Sequence, residues 1–553
     1  MQYKVKGIKK DRSKFKMFLP LATIIPFLGF FLYFLLFSSS PFVLLKSLLF
    51  DYEPKVKYET FKIYVQSNVS EEVKNSIVED LDDIEFQDTK RFEFVEEKKS
   101  DFVLGVTDER EGSFFSKQLL PVGHIYWVKD TFENEEVVME EDEYMLAREY
   151  FEKELGINVK KVSSLMEVLK EDEDTVGFVF PSNLTYEMKL LYINDKYPLE
   201  DGGIYISYGL QGDERVEFVS SILERNVENL KNDVLENEKI VKINMTGVTA
   251  ISRGLASKIN SSGDYAYPTR DIGEFLADAD LTHTSNEVSF MDGCNVVSGM
   301  RFCSKPEYIE VLKESGIDIV ELTGNHNNDF GASNNAKSIE MYKELGWDYF
   351  GGGVDKEDAS KILYKEVRDS KIAFVGYNYY DTMLNTLALA GESRAGANSY
   401  SVEKLENDIK EAKENADVVI VTFQFQECYS YPSSDVIYPI CYKPLSSPDQ
   451  KGVFRQAVDF GADVVVGTQA HQPQTYEYYK GSLIYYGLGN IYFDQSRWIG
   501  TRQGIVLSLY ILEDKLIQVK MTPTIYGTDL IPRVASDEEG SLLLNLLKSA
   551  RTF

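Results

Sequence analysis

Histidine is scarce in this chain, with only His124, His283, His326 and His471 among 553 residues, so a site that needs several imidazoles has little to draw on. Basic residues are also short: 59 Lys and Arg stand against 89 Asp and Glu, a net charge of -30. Phosphate backbones are gripped by clustered Lys and Arg, so nucleic acid is excluded as a partner. The four cysteines, Cys294, Cys303, Cys428 and Cys441, contain no CxxC pair of the zinc-binding kind. No internal repeat or low-complexity tract is visible either.

What is present describes a folded protein. Hydrophobic residues make up 43% and aromatics 13%, and the length suits two or three domains at roughly 150 residues each. Residues 17–37 form an uninterrupted uncharged run, long enough to span a hydrocarbon core as a transmembrane helix. Residues 1–16 carry Lys4, Lys6, Lys9, Lys10, Arg12, Lys14 and Lys16 against Asp11 alone, which predicts a cytoplasmic tail and an exported remainder. The run is followed by Ser38-Ser39-Ser40-Pro41 with no A-x-A-like cleavage site, so it reads as an uncleaved anchor in the cell membrane, with 38–57 as a linker. In an oxidising compartment the four cysteines predict two short-range disulfides, 294/303 and 428/441, although all three connectivities remain open.

From 58 to 238 the chain reads as a first exported α/β domain. FKIYVQ and SDFVLGVT alternate like strands, and SEEVKNSIVEDL has helical apolar spacing. The acidic stretch from Glu135 to Gly156 reads as a solvated helix face, and 226–239 as a charged helical connector. Asp174–Pro181 with Lys189–Asn194 resembles the end of a domain from periplasmic-type substrate-binding proteins and names no ligand. From Ile240 onward, strand-like KIAFVGYNYY, DVVIVTFQF, DVVVGTQ and SLIYYGLGN alternate with helix-like VEKLENDIKEAKEN and QKGVFRQAVDFG, implying helices packed on a sheet.

The second half is organised around Glu321–Gly331, ELTGNHNNDFG. The apolar run GIDIVEL leads into it and a helix-like segment, 333–345, follows, so it is a polar loop at the carboxyl end of a strand, where α/β sheets bind ligands. Four further segments accompany it in order: MTGVTAISRG (245–254), ADADLTHTSNEVSF (277–290), VVIVTFQFQECY and GADVVVGTQAHQPQTYEYYKGSLIYYGLGNIYFDQ (461–495). Together these motifs identify residues 239–527 as resembling the CapA family of capsule and poly-γ-glutamate synthesis proteins. That resemblance implies a metallophosphoesterase-type four-layer α/β domain, with 528–553 as a C-terminal segment. It also implies a partner, an anionic envelope polymer or its synthesis machinery.

The chain departs from the family pattern where ligands are expected. Val248 stands for an Asp, Gln424 for the His of an "HWG" strand, and Gln469 for the middle His of a "GhHpH" segment. Valine has no donor atom and a glutamine carbonyl is a weak ligand beside imidazole, so a two-metal centre is hard to build. The resemblance leaves Glu287, Asn325 and His471 as ligands for one divalent ion (Mn, Zn or Fe). The alternative is that Glu287 and Asn325 hold strand-end loops together by hydrogen bonds.

The resemblance makes His326 a proton donor or charge stabiliser and Arg253 an anion partner, in catalytic roles. The structural alternatives are a His326 loop cap and an Arg253 ion pair with Asp280 or Glu287. Asp329 and Gly331 shape the turn. The 487–490 GLGN run reads as tight strand passage rather than a phosphate loop. Tyr476, Tyr478, Tyr479, Tyr485, Tyr486 and Tyr492 form either a polymer groove or ordinary strand packing. Two functions compete: a binding or scaffolding relative in polymer synthesis, export or anchoring, and a metal-dependent hydrolase of an envelope polymer or its precursor.

Overall fold

The computed structural model describes residues 61–551 apart from short stretches, the longest being 108–114, 126–135 and 426–449. The expected membrane span at 17–37 and the 428/441 cysteine pair lie outside the described residues. Among the described residues no helix is long and apolar enough to cross a membrane. One compact unit comprises Ile63–Leu81 and Phe94–Phe553.

In the first domain, strand Phe61–Val65 runs parallel to Phe102–Thr107, with Ile63 opposite Phe102. The long antiparallel strand Ile204–Gly212 joins Phe102–Thr107 to Phe115–His124, beyond which lie Gly177–Val179, Glu136–Met139 and Asn158–Lys161. The amphipathic helix predicted in SEEVKNSIVEDL is Glu71–Asp82, with Val73 and Ile77 buried.

Two expectations here are corrected. The acidic stretch begins as a strand whose Val137, Val138 and Met139 are buried, and Glu143 of the helix Glu141–Tyr150 is 1% exposed. Its carboxylate accepts from Phe180 N at 3.1 Å and Asn183 Nδ2 at 2.7 Å, so charge alone misled. The connector is extended where it is described, up to the short turn Asn237–Lys239. Asp233 bridges to Lys117 in parallel, and its carboxylate takes Ser182 N at 3.1 Å and Ser182 Oγ at 2.6 Å. Such short polar side chains offer the backbone partners other than a helix.

The second domain is a sandwich of two sheets. Strands β1 (Val241–Thr249), β2 (Leu281–Asn286), β3 (Ile319–Glu321) and β4 (Asp348–Phe350) lie side by side in parallel. Strands β5 (Leu363–Val367), β6 (Ser370–Asn378), β7 (Val418–Gln424), β8 (Val464–Gly467), β9 (Tyr476–Tyr479) and β10 (Ser482–Tyr485) form the second sheet, in the order β5-β6-β7-β8-β10-β9. The chain then returns to the first sheet. β11 (Asn490–Tyr492) and β12 (Gln503–Leu512) both pair with β1, and β13 (Lys515–Tyr526) and β14 (Pro532–Val534) extend the edge.

Period-two alternation explains the layers. Ile372 and Phe374 of β6 and Val418 and Ile420 of β7 enter the core between the sheets, together with Val241, Ile243 and Met245 of β1. Their neighbours Ala373, Val375, Val419 and Val421 face outward against helices Val402–Asn415 and Gln450–Phe460. Strands buried on both faces become continuous apolar runs, as KIAFV and DVVIV are. The first sheet is covered on its outer face by helices that supply Leu255, Ile259, Leu312 and Ile339. The C-terminal segment belongs to this body: helix Asp537–Ser549 places Leu543, Leu544 and Leu547 in the inter-sheet core.

Candidate functional site

Parallel strands deliver their carboxyl-terminal loops to one end of the sandwich, and every site residue named from sequence sits in or beside those loops. After β3 the chain turns through Asn325–Asp329, with Asp329 N bonded to His326 O at 3.1 Å and Gly331 N to Asn328 O at 2.9 Å. Gly331, at φ 97°, takes the left-handed region and opens helix Ala332–Glu344. Glycine is also required where β1 passes the last motif. A Cβ at Gly247 would lie 1.9 Å from the Gly489 carbonyl oxygen, while Val248 N bonds that same oxygen at 2.9 Å. The GLGN run is therefore close strand passage.

His326 Nδ1 lies 2.8 Å from Asp329 Oδ2, and that carboxylate oxygen also accepts from Phe302 N at 2.7 Å. With Nδ1–H donated to Asp329, Nε2 carries the lone pair and can accept or return a proton. Phe302 lies against the imidazole, with ring centroids 4.1 Å apart. The Cys294–Cys303 disulfide closes the loop that carries Phe302 and Arg301, and Arg301 binds the Asp329 carbonyl. Of the expected cysteine pairs, 294/303 is therefore formed.

Arg253 pairs with neither Asp280 nor Glu287. Its Nε donates to Asp494 Oδ1 at 3.0 Å and its Nη2 to the same oxygen, while Gly254 N holds Asp494 Oδ2 at 2.8 Å. The guanidinium lies over two rings, 4.6 Å from Phe302 and 4.8 Å from Phe493. Arg253 adopts φ 45°, a conformation unusual for a residue with a Cβ. Asp280 is taken by Arg368. Asp494 was not singled out from sequence, although it lies in the last motif, four residues after Asn490.

The positions that depart from the family pattern have been rebuilt. Val248 belongs to a closed apolar cluster with Ala250, Val288, Phe302 and Phe493. Gln424, at the end of β7, donates its Nε2 to Gln469 Oε1, and both side chains are buried. His471 Nδ1 lies 3.0 Å from Asn490 Oδ1, whose Nδ2 donates to the His471 carbonyl at 2.9 Å. Glu287 is 1% exposed and packs against Gly324, where a Cβ would fall 2.7 Å from its Cα. Asn325 Oδ1 is buried without a hydrogen-bond partner. Among the described residues no three His, Cys, Asp or Glu side chains group so as to hold a metal ion. Gln424 Oε1 is likewise buried without a hydrogen-bond partner, so the amide pair is bonded on one side only; an apolar cluster, two neutral amides and an Asn-bound imidazole do not fit a pair of divalent cations.

Beneath this lies a polar knot that sequence reasoning missed. Glu321 and His283 are both fully buried, with His283 Nε2 3.0 Å from Glu321 Oε2. Glu321 Oε1 also accepts from Thr323 Oγ1 and, at 3.0 Å, from Thr468 Oγ1. Since Thr468 follows β8, this carboxylate ties the two sheets together directly under the site. Asn378, at the end of β6, does the same through its 2.9 Å bond to the Thr323 carbonyl.

Fold and site together define a class: an α/β two-sheet sandwich with a polar site gathered at the ends of its parallel strands. Residues 242–495 match the family model described as bacterial capsule synthesis protein PGA_cap, and over this stretch the chain is similar to CapA-type proteins. It is 28% identical over 298 residues to the capsule biosynthesis protein CapA of Bacillus anthracis, covering 52% of this chain and 68% of that one. It is 28% identical over 218 residues to the PGA biosynthesis protein CapA of Bacillus subtilis (strain 168), covering 39% of this chain and 53% of that one. Among solved structures, the NAD nucleotidase NadN of Haemophilus influenzae overlaps with a TM-score of 0.31 at 11% identity, covering 56% of this chain and 63% of that one. So low a score bears no weight on the chemistry.

Proposed function

We propose that the chain serves capsule or poly-γ-glutamate synthesis, export or anchoring as a membrane-held, extracytoplasmic protein that binds or scaffolds the polymer without cleaving it. The span at 17–37 is the proposed anchor. One observation carries the non-hydrolytic part: where the family resemblance calls for imidazoles, Gln424 and Gln469 place two buried neutral amides, the Nε2 of one bonded to the Oε1 of the other. Val248 in its apolar cluster removes a third expected ligand. What remains at the strand ends is a site of amides, hydroxyls, the Glu287 carboxylate, His471 and one His–Asp pair, suited to hydrogen-bonding a polar chain.

The test is to titrate the full chain in detergent with high-molecular-weight poly-γ-glutamate and, in parallel, to assay hydrolysis of that polymer and of bis-p-nitrophenyl phosphate. Binding with no hydrolysis supports the proposal. Turnover abolished by His326→Ala would overturn it. The second function, a metal-dependent hydrolase, is favoured by the His326–Asp329 pair, whose free Nε2 suits proton transfer to a leaving group.

A further inference from the structure

A cleft lies at the seam of the two domains. It is walled by Lys189, Tyr192 and Tyr197 of the first domain and by Tyr476, Tyr478 and Lys520 of the second. The seam itself is firmly built. Gln518 Nε2 bonds the Met188 carbonyl at 3.0 Å, Lys242 bridges to Glu200 at 3.0 Å, and Tyr197 packs on Tyr510 with centroids 5.6 Å apart. The cleft is thus a fixed feature of one packed body.

Its chemistry is unusual for a chain of net charge -30. Two lysines face one small cleft. Lys520 Nζ donates to the Tyr192 hydroxyl and stands 4.9 Å over the Tyr192 ring and 5.1 Å over the Tyr197 ring. Lys520 takes part in no ion pair among the described residues. Glu200, the carboxylate whose charge reaches it, is held by Lys242 Nζ at 3.0 Å and Tyr510 Oη at 2.8 Å. A half-buried ammonium supported only by a hydroxyl and ring faces is set to receive an anion. With its oxygen accepting from Lys520, the Tyr192 hydroxyl has its proton to donate to the same anion.

Size then narrows the ligand. The space measures about 540 Å³ to its open mouth, but only about 30 Å³ of it is enclosed enough for a water-sized body to move in. One water needs ~10–15 Å³ by that measure, so the enclosed floor admits a small polar group such as a carboxylate. The aromatic walls, where Tyr478 stacks on Tyr186 at 6.3 Å, suit the methylene stem behind such a group.

We propose that this seam cleft binds a pendant carboxylate of an extended polyanionic chain, its head between Lys189 and Lys520 and its stem along the tyrosines. The inference deepens the polymer-binding function above and rests on it for the identity of the chain that carries the carboxylates. It also explains how so acidic a protein could hold a polyanion: the attraction is local and the repulsion elsewhere is screened by salt.

The test uses the full chain in detergent and a γ-linked glutamate oligomer, its side-chain-amidated neutral counterpart, and inorganic phosphate. The acidic oligomer is expected to bind and the neutral one not, with binding weakened by at least about tenfold in Lys520→Met, the loss of one charge-assisted contact. Lys189→Met, at the rim, should act in the same direction, and affinity should fall as salt rises. Equal binding by wild type and by both lysine variants would overturn the seam site while leaving polymer binding elsewhere intact. Failure of the acidic oligomer to bind wild type would overturn both proposals. Equal binding of the neutral oligomer, or tighter binding of phosphate, would overturn the carboxylate assignment.

Discussion

The side-chain amide of Gln424 donates to the side-chain carbonyl of Gln469, closing the gap between the ends of β7 and β8 inside the protein. Removing either partner leaves a buried donor or acceptor of this bond unmatched, which costs more than the bond itself gains. We therefore predict that Gln424→Ala destabilises the fold by about 1–3 kcal/mol, and that Gln424→Leu combined with Gln469→Leu costs less than the sum of the two single changes. Urea denaturation of the four proteins would check this; simple additivity would contradict it.

The Arg253–Asp494 pair should behave as a buried ion pair, its side chains being 18% and 13% exposed. Removing one partner strands the other charge between Phe302 and Phe493. Asp494→Ala is expected to cost about 3 kcal/mol, and Asp494→Asn, which keeps an acceptor for Gly254 N, clearly less. Equal losses in the two variants would show that the lost charge, not the acceptor for Gly254 N, sets the cost.

The Cys294–Cys303 bridge closes a loop with a sequence separation of 9. Loop-closure entropy for such a ring amounts to about 2–3 kcal/mol, so Cys294→Ser with Cys303→Ser should lower stability by that order. The native protein should show no labelling of either thiol; labelling of both before denaturation would contradict the pairing.

In the C-terminal segment, Glu539 bonds Arg533 and caps helix Asp537–Ser549 with Ser536. The Arg533 hydrogen bonds, then the Ser536 backbone, lower its carboxyl from the ordinary 4.5 to about 2. A depressed carboxyl gives stability that is complete above pH 4.5 and lost as pH falls towards 2. Because both partners are more than a third exposed, its worth is no more than about 1 kcal/mol. Glu539→Gln should therefore be less stable than wild type at pH 7 and equal to it near pH 2, as followed by urea midpoints.

Much of this was legible in the sequence because the second domain repeats one pattern, an apolar run, a polar loop and a helix. Strand β3, the turn at Asp329–Gly331 and the Gly247–Gly489 passage follow from it directly. The partners were not legible. Arg253 and Asp494 are 241 residues apart, and Glu321 finds Thr468 only because two sheets stack. The tyrosine cluster divided along strand alternation: Tyr476, Tyr478 and Tyr485 turn to the inter-sheet core and Tyr479 and Tyr486 to the helices outside it, with Tyr476 and Tyr478 also walling the seam cleft. Neither the cluster nor the lysines opposite it could be assigned without knowing that β13 meets the first domain.

The central claim is that the strand-end site has given up the ligands a hydrolytic metal centre needs. Elemental mass spectrometry of the full chain, purified without chelators, tests it most directly. We predict far less than one equivalent of Mn, Zn or Fe, with no change in Glu287→Ala, Asn325→Ala or His471→Ala. About one equivalent that disappears in Glu287→Ala or His471→Ala would contradict the claim and restore the hydrolase.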